Sequence, residues 1–345
     1  MIQEPKNMLI VGVDWLGDVL FSTSLLRALK EKFPSSRVVY AAPRRCLPIL
    51  FHHPYVDEAI AYDEKLFVWG VFENIRFLKE LRKRKFDTAI LLHRSKTRAF
   101  LTMCAGIPQR VGYSYKGNRP YLTYAIKPPT DTLHRVLRYF ALLEPLGIRP
   151  DLLQPVASVT ESEILEWLKT LRSRMKDSFA SPKYVVLHAG ANWELKRWPT
   201  SYFMEVARRL MDRGLWVVLC GTSHEIALAT EIEKCGSRVL SFCGETNLRQ
   251  LFAMISQAEF IISNDSGPLH IASALNVRSI SIFGPTDPLL TGPLSRTRSL
   301  VLHQPVGCEV PCYFERCHHR ICMEAISPNR VMEAVDTLMN ETLIR

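Results

Sequence analysis

The segment FIISNDSGPLHIASAL, residues 260–275, passes from a short apolar run through a polar turn into a second apolar run. Residues 260–262 are typical of a buried strand, and Pro268 suits the first position of a helix. A helix that begins there presents free backbone N–H groups and a partial positive charge, which attract phosphate. We therefore expect a strand, a phosphate-binding turn and a helix, which is the repeating unit of α/β sheets.

Two side chains beside this turn indicate what it binds. Asp265 would repel a bound phosphate, so its carboxylate is expected to accept hydrogen bonds from sugar hydroxyls instead. His270 lies in the first turn of the predicted helix, where it can donate to a phosphate. A histidine on a helix is more often a packed core residue, so both interpretations of His270 stay open at this point.

The same alternation of short apolar runs and amphipathic stretches extends along the chain in both directions. It predicts strands at 8–13, 37–42, 88–92, 184–187, 216–219, 238–240, 260–262 and 279–283. It predicts helices at 18–33, 71–85, 97–105, 132–146, 161–175, 200–213, 223–235, 247–256, 267–275 and 328–343. A linker is expected at 148–160, which carries two prolines and no aromatic residue, or just after the helix at 161–175. Residues 284–311, which are rich in proline and glycine, are expected to be mostly loop. The predicted fold class is α/β, with two doubly wound parallel sheets in tandem.

Length and composition agree with two globular domains. The chain has 345 residues, of which 47% are hydrophobic and 23% charged, and this excludes a disordered or membrane-embedded protein. No apolar run approaches the roughly 18 residues that a membrane span needs. The first residues, MIQEPKNMLIVGV, lack the pattern of a signal peptide, so we expect a cytoplasmic protein.

The positive charge of the chain is concentrated in its first half. The formal net charge is +10, and residues 1–150 hold 24 basic and 13 acidic side chains, against 20 and 21 in residues 151–345. The basic run at 76–98 predicts an anionic partner, and a solvated helix face at 76–85 is the alternative. A nucleic-acid-binding module is a second alternative, but the chain has neither a known binding motif nor interleaved aromatic residues.

The chain has nine cysteines, and four of them, Cys308, Cys312, Cys317 and Cys322, lie within fifteen residues. Their gaps of three, four and four residues differ from the paired CxxC spacing of a zinc ribbon. Free thiols that pack a loop are one interpretation, and a structural zinc site or a redox role is the other. The remaining five cysteines lie in core-like segments and are interpreted as small buried side chains.

The segment VGVDWLGDVLFSTSLLRAL, residues 11–29, places two carboxylates just after a predicted strand. Ligands of open α/β sheets bind beyond the carboxyl ends of the strands, where Asp14 and Asp18 both lie. The segment has no GxGxxG, so it is not a dinucleotide fingerprint. Asp18 is interpreted either as the N-cap of a helix or as a general base that accepts a proton from an attacking hydroxyl.

The segment HAGANWELKRWP, residues 188–199, follows another predicted strand. Its small residues Ala189, Gly190 and Ala191 let the backbone approach a ligand closely. Lys196 and Arg197 are cations suited to a diphosphate, and a solvated pair before a helix is the alternative. Together with the turn after residue 262, this segment predicts a nucleotide-diphosphate donor bound across a cleft between the domains.

Four segments, at 12–29, 92–114, 188–199 and 264–288, resemble in order those of the ADP-heptose:lipopolysaccharide heptosyltransferase family, glycosyltransferase family 9. The resemblance covers residues 8–335, and its NDSGPLH and KRWP motifs are specific when taken together. The stretch APRRCLPILFHHPYVDEAI, residues 42–60, is similar to the heptosyltransferase II branch.

The resemblance implies a GT-B fold of two Rossmann-like domains that face each other across a cleft. Residues 1–160 would bind the acceptor, residues 176–327 would bind the nucleotide sugar, and a final helix within 328–345 would cross back toward the first domain. It also implies an inverting transfer of heptose from ADP-L-glycero-D-manno-heptose to the lipopolysaccharide inner core, without a required metal or cofactor. The alternatives are a family 9 transferase with another donor or acceptor sugar, and a GT-B nucleotide-sugar epimerase.

The resemblance also assigns roles to individual residues. The catalytic base of the family falls on Asp18, and the donor-binding positions fall on Lys196, Arg197, Glu225, Asp265, Ser266, Gly267 and His270. We expect the acceptor to be bound by cations of the basic half, with candidates Lys83, Arg94, Lys96, Arg98 and Arg110. Ala189 departs from the family, in which this turn position is frequently proline.

The partners expected from this resemblance are a nucleotide-sugar donor and an anionic lipopolysaccharide precursor. The protein is expected to be a monomer that does not bind nucleic acid. Its basic half is suited to peripheral association with the anionic cytoplasmic face of the inner membrane.

Overall fold

A computed structural model describes residues 3–62, 70–115, 117–175, 183–312, 317 and 319–340. The chain divides into two compact units, Met1–Ser158 (unit 1) and Val159–Arg345 (unit 2). The division falls inside the 148–160 stretch, where the sequence predicts a linker.

Unit 1 is built on a six-stranded parallel sheet in the order β3-β2-β1-β4-β5-β6. Its strands are β1 Asn7–Val11, β2 Arg37–Pro43, β3 Glu58–Tyr62, β4 Thr88–Leu91, β5 Gln109–Tyr113 and β6 Tyr124–Ile126. Its helices are α1 Leu16–Lys32, α2 Val71–Arg84, α3 Lys96–Cys104 and α4 Arg135–Phe140. Short 3-10 helices lie at Arg44–Leu50, Arg119–Tyr121 and Ala141–Leu146.

Unit 2 contains a second six-stranded parallel sheet, in the order β12-β11-β10-β7-β8-β9. Its strands are β7 Tyr184–His188, β8 Trp216–Leu219, β9 Val239–Ser241, β10 Ile261–Asn264, β11 Ser279–Phe283 and β12 Ser299–His303. Its helices are α5 Glu161–Met175, α6 Thr200–Asp212, α7 Ile226–Glu233, α8 Leu248–Ser256, α9 Gly267–Ala274, α10 Pro288–Thr291, α11 Ile321–Glu324 and α12 Pro328–Asn340. Short 3-10 helices lie at Glu194–Lys196 and Ser223–Glu225.

The central strands are continuous apolar runs because helices cover both faces of a parallel sheet. In β1 all residues after Asn7 are buried, and β4, β7, β10 and β11 are buried along their whole length. Helix α1 buries three hydroxyl side chains, Ser22, Thr23 and Ser24, and each donates to a carbonyl three residues earlier in the helix. These bonds remove the cost of burying unpaired hydroxyls.

The predicted alternation of strands and helices is confirmed, including all eight predicted strands, although most boundaries differ by one or two residues. Four strands are additional: β3, β5, β6 and β12. Three of these lie at sheet edges and are partly exposed, so their sequences lack the apolar run that identifies a central strand. The prediction that residues 284–311 are mostly loop is confirmed, and α10 and β12 are the two elements that form within them.

Helix α12 closes unit 2. Its buried residues, which include Val331, Val335 and Leu338, belong to the apolar core of unit 2, and the helix packs against α6 and β11. The predicted direction of the final helix toward the first domain stays a prediction.

His53 is a buried histidine of unit 1 that fits its site only as the neutral ring. Its Nδ1 accepts from the backbone N–H of Tyr55 at 3.2 Å, which leaves Nε2 to donate to the carbonyl oxygen of Val156 at 3.2 Å. Burial lowers the pKa of His53 to about 4. A second ring proton on Nδ1 would point at the N–H of Tyr55, so protonation opposes the folded state.

This site predicts acid destabilisation of unit 1. The unfolded chain binds a proton at His53 below a pKa of about 6.5, whereas the folded chain does so only near 4. Between pH 7 and pH 4 the free energy of unfolding should therefore fall by about 3 kcal/mol through this residue. In urea unfolding at both pH values, His53→Gln should lose this part of the pH dependence. Exposed His224→Gln is the control, and equal pH dependence of His53→Gln and the wild type would contradict the assignment.

Candidate functional site

In unit 1, the carboxylate of Asp14 lies just beyond the end of β1 and receives hydrogen bonds from three elements. Tyr62 Oη and Arg98 Nη2 donate to its Oδ1 at 2.9 and 2.6 Å, and His93 Nε2 lies 3.2 Å from Oδ2. Burial by itself would raise the pKa of Asp14, but the bonds from His93, Arg98 and Tyr62 and the charge of Arg98 hold it well below its usual value. Asp14 is therefore a fixed negative charge at the carboxyl edge of the sheet.

Arg98 is a buried cation rather than a surface residue. Only 2% of the residue is exposed. Its guanidinium also donates to the carbonyl oxygen of Gly12 at 2.9 Å and lies 4.5 Å from the centre of the Tyr62 ring. The structure therefore places this predicted acceptor residue where it ties the β1–α1 loop to α3, in contact with Asp14.

Asp18 lies in the first turn of α1, close enough to Asp14 to be influenced by its charge. The N-cap interpretation of Asp18 is wrong, because α1 begins at Leu16 and its N-cap position is Trp15. Tyr139 Oη donates to Asp18 Oδ1 at 3.1 Å. Burial raises the pKa of Asp18 and the charge of Asp14 adds to this, whereas Arg135 and the Tyr139 bond act in the opposite direction. Such a carboxylate binds a proton more readily than an ordinary aspartate, which suits a general base.

The other predicted acceptor cations of unit 1 fall in different places. Arg94 and Lys96 follow β4 at the carboxyl edge, where Arg94 lies over the rings of Tyr113 and Tyr115 at 5.9 and 5.5 Å. Arg110 lies near the opposite edge, in register with Ala89 near the beginning of the strands. Its Nε donates to the carbonyl oxygen of Tyr121 at 2.6 Å.

Lys83 is also remote from that edge, because it is exposed in the last turn of α2, before β4 begins. The structure thus brings Arg94 and Lys96, but neither Lys83 nor Arg110, to the edge that carries Asp14 and Asp18.

In unit 2, the buried carboxylate of Asp265 is the centre of a polar cluster at the end of β10. Lys196 Nζ and Thr286 Oγ1 donate to its Oδ2 at 2.6 and 2.8 Å, and His270 Nε2 lies 3.7 Å from Oδ1. Asp265 is 4% exposed, whereas the side chain of Lys196 keeps 23% of its surface accessible. Two segments that the sequence singles out separately, 188–199 and 260–275, therefore meet at one carboxylate, and Thr286 joins them.

Helix α9 begins in this cluster, at Gly267. Its N-cap residue Ser266 makes no side-chain bond to the helix and contacts Ser263 at 3.0 Å instead. The backbone N–H groups of the first turn are thus not capped by that side chain, and His270 is one turn into the helix. This arrangement has the uncapped helix N-terminus that the turn predicts, and the binding of an anion there stays a prediction.

Asn264 positions a loop of the candidate site, and the sequence reasoning missed this role. Its Nδ2 donates to the carbonyl oxygens of Ala189 and Gly190 at 2.9 and 3.1 Å, and its Oδ1 accepts from the backbone N–H of Trp198 at 3.1 Å. One fully buried amide therefore holds both ends of the 189–198 loop to β10. The only sequence signal is its position directly before Asp265.

Arg197 and Glu225 shape the same loop region. Arg197 Nε and Nη2 both donate to the carbonyl oxygen of Ala191 at 3.0 Å, so this cation closes the loop. Glu225 Oε2 accepts from the N–H and Oγ1 of Thr222 at 2.7 and 3.1 Å, in a capping box. Its Oε1 lies 4.0 Å from the buried His188, whose pKa is lowered by burial.

The side chain of Glu225 occupies the space beside Gly190. A Cβ atom at position 190 would lie 1.5 Å from Glu225 Oε1. The two residues border a small cavity whose other walls include Leu219, Cys220 and Leu228. This cavity lies at the carboxyl end of β7 and β8 and carries one carboxylate in an otherwise mainly apolar lining.

A family model described as "Glycosyltransferase family 9 (heptosyltransferase)" matches residues 74–317. The chain belongs to glycosyltransferase family 9. It is therefore a glycosyltransferase, and the resemblance seen in its motifs is confirmed. A nucleic-acid-binding module and a GT-B epimerase, the alternatives from the sequence, are not favoured.

Individual relatives cover nearly the whole chain. Lipopolysaccharide heptosyltransferase 2 of Escherichia coli K12 is 29% identical over 96% of this chain and 98% of its own length. Lipooligosaccharide heptosyltransferase 2 of Haemophilus influenzae is 30% identical over 86% of this chain and 88% of its own. The solved structure of E. coli ADP-heptose LPS heptosyltransferase II has a TM-score of 0.82, with 27% identity over 97% and 99% of the two chains. The predicted GT-B fold with two Rossmann-like domains is confirmed.

The four clustered cysteines of the family 9 chain all border one small cavity, together with His303 and His319. Cys317 Sγ lies 3.5 Å from His319 Nδ1, and burial raises the pKa of Cys322. Within the described residues, which omit 313–316 and 318, no group of three His, Cys, Asp or Glu side chains has a metal-binding arrangement. The zinc interpretation stays a prediction.

Among the residues that the structure describes, no helix is both long and apolar enough to cross a membrane.

The position of Asn264 predicts a large effect of an isosteric change. Asn264→Asp would replace the buried Nδ2 donor with an oxygen that faces two carbonyl oxygens. We expect the free energy of unfolding of unit 2 to fall by about 3 kcal/mol, measured in urea at neutral pH. The control is Asn329→Asp on the surface of α12, where Asp keeps the acceptor that Arg209 uses. Equal stabilities of the two variants would contradict the role given to Asn264.

Proposed function

We propose that this family 9 chain transfers a heptose from ADP-L-glycero-D-manno-heptose to the lipopolysaccharide inner core. Its relatives are named lipopolysaccharide heptosyltransferase 2 and ADP-heptose LPS heptosyltransferase II, which supports the proposal. The observation that carries the proposal is the cluster of Lys196, Thr286 and His270 around Asp265, at the N-terminus of α9. It combines cations, hydroxyls and backbone N–H groups, which are the groups that bind a sugar diphosphate.

In this proposal unit 2 binds the donor. The diphosphate lies against the first turn of α9, and Lys196, whose side chain is still 23% exposed, turns from Asp265 to a phosphate oxygen. Asp265 then accepts from sugar hydroxyls and keeps its bond from Thr286. Gly267 lets the diphosphate approach the backbone, Ser266 contacts a phosphate oxygen, and Glu225 contacts the nucleoside beside the carboxyl ends of β7 and β8.

Unit 1 binds the acceptor in this proposal, and Asp18 is the base. As the sugar–phosphate bond breaks, positive charge develops on the anomeric carbon and negative charge on the leaving ADP. Lys196, His270 and the N-terminus of α9 stabilise that negative charge, so the reaction requires no metal ion. Asp18 removes the proton from the attacking hydroxyl on the opposite face of the sugar, and a single displacement inverts the anomeric centre.

Arg94 and Lys96 are the acceptor-binding cations in this scheme, because they lie at the same edge as Asp18. Arg98 holds Asp14 and the β1–α1 loop, so we assign it a positioning role. Because the acceptor is a lipid in an anionic leaflet, we further propose that the monomeric protein associates peripherally with the cytoplasmic face of the inner membrane.

The first test is donor binding. ADP at about 100 times its dissociation constant should stabilise the wild type by about 2.7 kcal/mol in a thermal-shift assay, and UDP, GDP and NAD should have smaller effects. Lys196→Ala should weaken ADP binding about ten- to hundredfold, because it removes a charge-assisted bond. The matched control is Lys234→Ala, an exposed lysine of unit 2. A preference for UDP or GDP would contradict the ADP-sugar donor.

The second test is the pH dependence of heptose transfer, with acceptors that end in Kdo or in heptose. A base acts when deprotonated, so the acid limb follows the raised pKa of Asp18. Asp14→Asn removes a negative charge and should move this limb to lower pH. Tyr139→Phe removes a bond that stabilises the carboxylate and should move it to higher pH. Shifts in the same direction, or full activity of Asp18→Asn, would contradict the assignment of the base.

A further inference from the structure

Helix α2 of unit 1 has an outer face that the described residues of the chain leave uncovered. Its inner side inserts Phe77 and Leu81 into the apolar core beside the sheet. On the outer side Phe72 is 85% exposed, Val71 67% and Ile75 45%. A soluble protein rarely exposes several large apolar side chains together on one helix turn, and such patches mark contact surfaces.

Basic side chains share that face with the apolar ones. Successive residues of an α-helix turn by about 100°, so Arg76, Lys79 and Lys83 point to the same side as Phe72. All three cations are exposed. We call the six residues together the α2 outer face: Val71, Phe72, Ile75, Arg76, Lys79 and Lys83.

The acidic residues of α2 lie off this face. Glu73 and Glu80 are each turned by about 100° or more from its centre, and Glu80 pairs with Arg84 on the side next to β3. Arg82 is also engaged elsewhere, because its Nε and Nη2 donate to the carbonyl oxygen of Cys104 at 3.2 and 2.9 Å. The α2 outer face therefore presents only apolar and positively charged groups.

An exposed apolar patch with lysines beside it is the pattern of a helix that lies in the interface of an anionic bilayer. A protein partner would have to supply an apolar surface with acidic residues around it, whereas a bilayer of anionic lipids supplies both at once. We propose that the α2 outer face docks the protein on an anionic lipid surface. The side chains of Val71, Phe72 and Ile75 enter the boundary between headgroups and acyl chains, and the three cations contact lipid phosphates.

This inference deepens the proposed function, since it names the surface by which the enzyme reaches a lipid-linked acceptor, but its test does not depend on catalysis. The wild type is mixed with vesicles of phosphatidylethanolamine and phosphatidylglycerol, and bound protein is measured by flotation. Vesicles of phosphatidylcholine are the neutral comparison, and each series is repeated at about 0.5 M NaCl, where surface charges are screened.

Two double variants separate the parts of the surface. Phe72→Ser/Ile75→Ser should lower the affinity for anionic vesicles at least about tenfold at both salt concentrations, because it removes the inserting groups. Lys79→Glu/Lys83→Glu should lower it about tenfold or more at low salt and have little effect at high salt. The matched control is Leu165→Ser/Lys169→Glu, which changes one exposed apolar and one exposed basic residue on α5 of unit 2.

The outcomes distinguish this inference from the proposed function. Transfer to an acceptor oligosaccharide without acyl chains should be unchanged in Phe72→Ser/Ile75→Ser, whereas transfer to the acceptor in vesicles should fall. A wild type that binds ADP but stays unbound by anionic vesicles would overturn the docking surface alone. The docking surface would also be overturned if both double variants bound vesicles like the control, or if light scattering showed that the face instead joins two copies of the chain. Vesicle binding without any response to ADP would overturn the proposed donor and leave the docking surface supported.

Discussion

All strands within each sheet run in the same direction, and the location of both polar clusters depends on this constraint. Parallel strands bring their carboxyl ends to one edge, so loops distant in sequence meet there. In unit 1, Val11 is in register with Leu91, and the residues that follow them, Asp14 and His93, come into contact. In unit 2, Asn264 is in register with Ile282, which brings Thr286 to Asp265.

Each unit places a carboxylate at that edge and pairs it with a cation, because a buried charge without a partner is costly. The two pairs differ in how accessible the cation is. Arg98 is 2% exposed and also holds a backbone carbonyl, so its bond to Asp14 belongs to the permanent framework. The side chain of Lys196 is flexible and partly exposed to solvent. Its ammonium group can therefore exchange the bond to Asp265 for a bond to an anion.

Much of this organisation was predictable from the sequence, because the central strands are apolar along their length and the motifs lie directly after them. The turn before α9 was predicted from Pro268 and the small residues around it. The features that could not be predicted depend on contacts between residues that are distant in the sequence. The edge strands β3, β6 and β12 form because a neighbour offers backbone partners, not because their own pattern requires it.

The same limit explains the misjudged side chains. The basic run that contains Arg98 gives no sign that this arginine is buried, because its partner Asp14 lies 84 residues away in the chain. Asn264 and Thr286 act through carbonyl and carboxylate groups that only the fold brings near. Asp18 was correctly located at the edge of the sheet, but its exact position within the helix depends on where α1 begins.

The close approach of Gly190 to Glu225 also constrains how this enzyme can change. The carboxylate occupies the space that any side chain at position 190 would need. A substitution at 190 is therefore tolerated only after Glu225 has been shortened or moved, whereas Glu225 can vary while glycine is kept. Changes at the two positions are therefore coupled, because any side chain introduced at 190 has to displace the carboxylate of Glu225.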